Sequence, residues 1–283
     1  MTTINNFVVD HVLRGIMVNK AGEYMWSVNQ ITDPSLSVTM EDAVTAVDAL
    51  GSTIASFDRG RNAEFTATNS IFDLGLYASQ LGQEKQEASA TKKIVAPAFE
   101  TIEIVDGQDD YELAHLPKDA IAVIYALNGD GTLGQAYKAG TVANETDFVY
   151  DTEEIEITPA GEDPDTQPAV TKTVGKITVP TGLAAESELF VMYEYDMESG
   201  VSVTADAINV PKKGKFILEV LGCDVCDQET LIHAYVVFPN AKLDGNVDYS
   251  FTTDGTHPFT IQAQQSYCDS KKKLFSIVIP NEE

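Results

Sequence analysis

From residue 62 onward the chain alternates. Asn62-Ala-Glu-Phe-Thr-Ala-Thr68 sets apolar Ala63, Phe65 and Ala67 against polar neighbours, the period-two pattern of a half-buried strand. Stretches of similar character follow at 94–104, 121–127, 153–158 (apolar at Ile155 and Ile157), 174–179 and 188–195. The last third adds 201–204, 215–221, 231–238, 247–252, 259–263 and 274–279. They recur at a spacing of roughly 10–20 residues with Gly, Asp, Asn and Pro between them, as a sandwich or barrel requires. Asn128-Gly-Asp-Gly131, Asp244-Gly245 and Asp254-Gly255 supply turn residues that tolerate positive φ.

Helical spacing stands out once. Ile71, Leu74, Ala78 and Leu81 share one face, Ser70-Ile-Phe-Asp73 reads as a variant capping box, and Gly82 supplies the stop. A shorter helix is expected over 40–50. Two short helices among a dozen strands predict an all-β chain, a β-sandwich or barrel with a packed helix.

Acids change the picture in the middle. Asp106, Asp109, Asp110 and Glu112, then Asp147, Asp151, Glu153, Glu154 and Glu156, crowd residues 105–200, together with the charged, proline-bearing loop Gly161-Glu-Asp-Pro-Asp-Thr-Gln-Pro168. The stretch is about the size of a small sandwich of roughly 100 residues. We read 105–200 as an inserted acidic, β-rich, Ig-like module, and 1–104 with 201–283 as one discontinuous domain.

Over all 283 residues, Lys plus Arg is 18 against 44 Asp plus Glu, a formal charge of −26. That balance argues against a general nucleic-acid binder and against docking on an anionic leaflet. Runs such as Ile121-Ala-Val-Ile-Tyr-Ala-Leu127 are far short of the ~20 apolar residues that span a bilayer. The first residues lack the basic and apolar regions of a signal peptide, and three cysteines do not make a disulfide framework. Synthesis in a cytosol is expected.

Candidate chemistry is sparse. Cys223-Asp-Val-Cys226 has the spacing of half a zinc site, to which Cys268 with His233 or His257 would add ligands, but a second close pair is missing. The cysteines are expected to be small core or turn residues holding no metal. The four histidines lie far apart. The hydrolase elbow, the dinucleotide fingerprint and the phosphate loop are all missing, and Asn128-Gly-Asp-Gly-Thr-Leu133 lacks most of a calcium loop. No cofactor and no catalytic residue is expected, and the chain reads as a non-enzyme.

With only 18 cations, their clustering matters. Arg59 and Arg61 flank Gly60, while Lys212, Lys213 and Lys215 form one group and Lys271, Lys272 and Lys273 another. They are either strand-entry turns kept soluble by charge or contacts to acidic faces of neighbouring copies.

The order of elements resembles the major tail tube proteins of tailed bacteriophages. Val47-Asp-Ala-Leu-Gly-Ser-Thr-Ile-Ala-Ser-Phe-Asp-Arg-Gly-Arg61 leads into a strand and then a helix ending in Leu81-Gly82. Phe238-Pro-Asn-Ala-Lys-Leu-Asp-Gly245, Val247-Asp-Tyr-Ser-Phe-Thr-Thr253 and Leu274-Phe-Ser-Ile-Val-Ile-Pro280 are similar to the closing strands of such proteins. The acidic middle departs from the minimal pattern and resembles modules that virion proteins carry outside. The resemblance implies a structural subunit of the virion tail, made in the host bacterium. Its partners would be further copies of itself in stacked hexameric rings, other virion tail proteins, and viral DNA passing through without specific binding. An acidic wall suits that passage because it repels phosphate. Rival readings are a capsid or capsid-decoration protein, against which the missing long helix counts, and a receptor- or carbohydrate-binding β-sandwich, for which the single tryptophan, Trp26, gives little.

Overall fold

A computed structural model of the chain describes residues 6–58, 60–157, 170–265 and 271–280. The 161–168 loop, Arg59 and Cys268 therefore lie outside the described residues. In chain order the elements begin β1 (Phe7–Val18), β2 (Tyr24–Val28), β3 (Ile31–Met40), β4 (Val44–Val47), β5 (Thr53–Phe57), β6 (Arg61–Asn69), α1 (Leu74–Gln80) and β7 (Gln86–Glu87). Then come β8 (Ile94–Glu103), β9 (Asp110–Glu112), β10 (Val123–Leu127), β11 (Leu133–Ala139), β12 (Asp147–Ile157), β13 (Val170–Thr178), β14 (Glu188–Met197) and β15 (Val201–Ser202). The chain closes with β16 (Lys213–Asp224), β17 (Asp227–Leu243), β18 (His257–Ala263) and β19 (Ser276–Val278). The fold is all-β, and α1 is its one α-helix among the described residues.

Two compact units form: Met1–Gln86 with Val203–Glu283, and Glu87–Ser202. The second begins at Glu87, earlier than the 105 read from composition. The reason is β8, which pairs along its whole length with β14, from Ile94 opposite Met197 to Glu103 opposite Glu188. Acid density missed β8 because its acids are only Glu100 and Glu103.

The first unit is one antiparallel sheet in the order β2-β1-β16-β17-β18-β6-β3, with β19 also on β17. Its core is aromatic. Trp26, Phe65, Phe216, Phe238 and Phe259 surround one another, with Phe216 5.7 Å from Phe65, 5.8 Å from Trp26 and 6.0 Å from Phe238, centroid to centroid. Spacings of this kind each add roughly 0.5–1.5 kcal/mol beyond burial. Gly15 makes room for the hub, since a Cβ there would stand 2.9 Å from the Phe216 ring.

Three local expectations change. The helix starts a turn later than Ser70, because Asp73 is the cap: its Oδ1 accepts from Leu76 N–H at 2.7 Å. Gly82 ends it at φ +74°. The expected helix at 40–50 is instead β4 and a turn. The expected strand at 247–252 is irregular chain, where Asp244 Oδ1 accepts from Asn246 N–H. The Asn128–Gly131 turn does join β10 to β11, and Asp130 Oδ1 accepts from both the backbone and hydroxyl of Thr132.

The second unit has two antiparallel groups, β8-β14-β10-β11 and β12-β13-β9, joined where Lys138 and Ala139 run parallel to Asp147 and Phe148. Ile124, Phe148, Ile177 and Val191 are fully buried between them. Where the chain enters and leaves this unit, Ala88 N–H donates to Gly200 O at 2.9 Å.

Beside α1 a histidine is sealed in the first unit. His257 is 0% exposed, bonds Gln80 Oε1 through Nε2 at 2.7 Å, stacks on Phe72, and has no partner at Nδ1. Burial pushes its pKa below the ordinary 6.5, against the weaker opposing pull of Asp73. Folding therefore favours neutral His257. Its stabilising share is complete above pH 6.5 and is lost as pH falls below that value toward the lower folded pKa. Thermal melts of the parent should drop more steeply between pH 7 and 5.5 than those of His257→Gln; parallel curves would contradict this.

Candidate assembly surfaces

At the middle of the first sheet, β16 lies between β1 and β17 and turns every second side chain to the core. Gly214, Phe216, Leu218, Val220 and Gly222 are buried toward the core, which sends Lys213 and Lys215 out to solvent. Lys213 stands opposite Lys242 of β17, and Lys215 shares a cleft of about 420 Å³ with Lys20 of the β1–β2 turn. Like charges opposed across strands repel. None of these four lysines is ion-paired among the described residues. One acid, Glu23, stands in the same turn, where it accepts from Asn19 Nδ2 at 2.7 Å.

The other end of the same three strands has the opposite charge. The β16–β17 turn and its flanks carry Asp224, Asp227 and Glu229, and neighbouring β1 adds Asp10, which bonds His11 at 2.8 Å. Twelve residues of β16 at ~3.3 Å each set the two ends roughly 40 Å apart. Between them Glu219 is nearly buried and neutralised locally: Arg14 Nε donates to one carboxylate oxygen, and His233 Nδ1 lies 3.0 Å from the other. The Arg14 hydrogen bond, then its charge, hold the Glu219 pKa below the ordinary carboxylate value.

A second surface is apolar. β4 and β5 pair only with each other, and Val44, Val47, Ile54 and Phe57 are exposed, with Leu50 92% exposed at the turn. The turn is ordered by Asp48 Oδ1, which accepts from Leu50 and Ser52 N–H at 2.9 and 2.8 Å. A lone two-stranded ribbon is marginal in water, and its apolar side chains gain by being covered. The strands at the two ends of the sheet order, β2 and β3, each leave one edge unpaired within that sheet.

The cations singled out in the sequence do not converge as one site. Arg61 opens β6 opposite Met40, at the root of the β4–β5 ribbon, with its guanidinium 3.9 Å from the Met40 sulfur. Lys212 Nζ reaches Glu84 Oε1 at 2.7 Å, so this cation is used inside the subunit. Lys213 and Lys215 join the positive end. Lys271, Lys272 and Lys273 are exposed just before β19. Sequence reasoning missed Lys20 and Lys242, which are isolated along the chain and meet the others only through strand register. Cys223 lies near the end of β16 and is half-buried, and Cys226 lies in the β16–β17 turn and is exposed.

Comparison with known proteins adds one decisive finding: the profile of the YomU/Tube protein family matches residues 8–273. The chain belongs to the YomU/Tube protein family. Nearly the whole chain, both units included, is thus the span of a phage-associated tube family, and the chain is a phage tube-like structural protein. No curated protein sequence matches it significantly.

The internal role of Lys212 is checkable. Lys212→Ala should cost no more than about 1 kcal/mol in denaturant unfolding, and self-association of the variant by light scattering should match the parent. A large loss of association would place Lys212 at a contact between copies.

Proposed function

We propose that the chain is the subunit of a phage tail tube, closing side by side into rings and stacking head to tail into the conduit for the genome. Hexameric rings are what the tail-tube resemblance implies. The observation that carries the stacking is the β1-β16-β17 ribbon, positive at one end through Lys20, Lys213, Lys215 and Lys242 and negative at the other through Asp10, Asp224, Asp227 and Glu229. Copies set head to tail bring unlike ends together; copies set head to head oppose like charges. Complementary ends select orientation more than they add affinity.

Two features support lateral and axial closure. The free edges of β2 and β3 offer backbone groups to a neighbouring sheet, so a closed ring uses up both. The exposed apolar ribbon of β4 and β5 supplies non-polar contact that charge alone does not. In this reading the chain performs no chemistry and takes no cofactor. Its partners are further copies, other tail proteins of the virion, and DNA that slides past a wall whose acid surplus repels phosphate.

The test is a charge swap followed by electron microscopy of the purified protein at low salt. Lys213→Glu with Lys215→Glu should raise the concentration needed for tubes by roughly tenfold, given ~0–1 kcal/mol per exposed pair. Asp227→Lys with Glu229→Lys should do the same, and all four together should restore assembly. If both double variants form tubes like the parent, or the quadruple variant gains nothing, end-to-end charge pairing is not what stacks the copies.

A further inference from the structure

We propose that the second unit carries a binding cleft for an anionic sugar, a ring bearing a carboxylate or a phosphate. The cleft holds about 550 Å³ and is walled by the 114–118 segment on one side and the end of β14 on the other. Residues 87–202 contain six lysines, no arginine and 23 acids. Three of those six, Lys93, Lys118 and Lys172, line this one cleft. Lys176 pairs with Asp110 and Glu153. Lys118 and Lys172, like Lys92 and Lys138 outside the cleft, are not ion-paired among the described residues, so two of the four unpaired lysines of this unit meet in one cleft. Lys93 bonds Glu198 at 2.8 Å, which leaves the cleft with unsatisfied positive charge in the most acidic part of the chain.

Beside the lysines the cleft carries a prebuilt aromatic pair. His115 and Tyr195 stack with centroids 3.9 Å apart and planes within 3°. The backbone beneath them is pinned at several points. Ala114 N–H donates to the Glu100 carboxylate at 3.1 Å, His115 N–H to the Tyr193 hydroxyl at 3.1 Å, and Leu113 N–H to Gly175 O at 2.9 Å. The Tyr193 hydroxyl itself donates to Glu100, and burial with that bond pushes its pKa far up, so it stays a donor. Gly175 lets Pro117 pack closely, since a Cβ there would stand 2.6 Å from the proline ring. A rigid aromatic plane faces a sugar ring at little ordering cost. Asp196 and Glu198, also lining the cleft, are acceptors for ring hydroxyls. Lysines for the acid group, acceptors for hydroxyls and a plane for the ring together select an anionic sugar over a bare anion or a neutral glycan. The inference does not depend on how copies assemble.

Histidine resonances of the full chain report on the cleft, with His115 assigned by comparison with His115→Gln. Titration with glucuronate or glucose 6-phosphate at low salt should move the His115 signals saturably, with an affinity of about 1 mM. Lys118→Glu with Lys172→Glu should weaken this at least tenfold, and the milder Lys118→Gln with Lys172→Gln less, with circular dichroism unchanged in both. Response to glucuronate alone identifies a carboxylate sugar, to glucose 6-phosphate alone a phosphate sugar, and either supports the site. No saturable movement up to about 50 mM, an equal response to glucose, or unaltered affinity in both lysine variants would overturn it.

Discussion

Everything in the first unit depends on the register of β16 against its two neighbours. Phe216 stands opposite Met17 on one side and Phe238 on the other, and its ring also meets Trp26, Phe65 and Phe259. A slip by one residue would turn Lys213, Lys215 and Glu219 into that aromatic core and expose Phe216, Leu218 and Val220. Burying unpaired charges costs far more than any alternative pairing returns. The glycines enforce the same answer, because a Cβ at Gly214 or Gly222 would stand 2.2 Å from a carbonyl oxygen of β1. One hydrophobic constraint thus fixes the polar face as well. The positive end, the negative end and the Arg14–Glu219–His233 cluster are its other side.

Legibility in the sequence followed this same physics. β6 was readable because alternation runs unbroken through Ala63, Phe65 and Ala67, and the core of β16 because Phe216, Ile217, Leu218, Val220 and Leu221 make a dense apolar run. β1 was not, since register shifts between Val9 and His11 and between Val12 and Arg14 break its period and place extra residues out of phase. β3 hid for a different reason: it is exposed nearly throughout and carries Pro34, so it presents no apolar face. β4 was read as helix because Val44, Val47 and Leu50 fit helical spacing, whereas in the structure they are outward groups of a ribbon that packs on nothing within its own sheet. The candidate assembly surfaces were the least legible part. Cys223 and Cys226 drew the eye through spacing, while Lys20 and Lys242 carry no local signal and are assembled only by pairing.

The family assignment and the geometry complement one another. The profile match over 8–273 establishes a tube protein but says nothing about which surface meets which. The first unit adds a ribbon of opposite charge at its two ends, edges of β2 and β3 unpaired within their sheet, and a separate apolar hairpin, the features on which the proposed stacking rests. The second unit obeys a different economy of charge. There Lys176 ties β13 to Asp110 and Glu153, and Lys93 ties to Glu198, both pairs exposed enough to contribute little to stability. Of the four lysines left without an ion pair among the described residues of this unit, Lys118 and Lys172 share one cleft.

In the proposed assembly, how a chain of net −26 associates with itself is a question of distribution rather than total. At physiological salt, charges more than about 8 Å apart are largely screened, so the mean repulsion between copies is weak beyond contact. What remains is local. Arg14 and Lys212 are held by Glu219 and Glu84 inside the subunit and are lost to any interface. The lysines left over at the end of β16 face no acid of their own strand pair, and the carboxylates at the far end face no lysine of theirs. A neighbour related by translation along the strands satisfies both sets at once, whereas a neighbour set head to head brings like ends together. Each contact contributes little by itself, but in the proposed tube every subunit repeats it, and the cost of a wrong orientation multiplies in the same way.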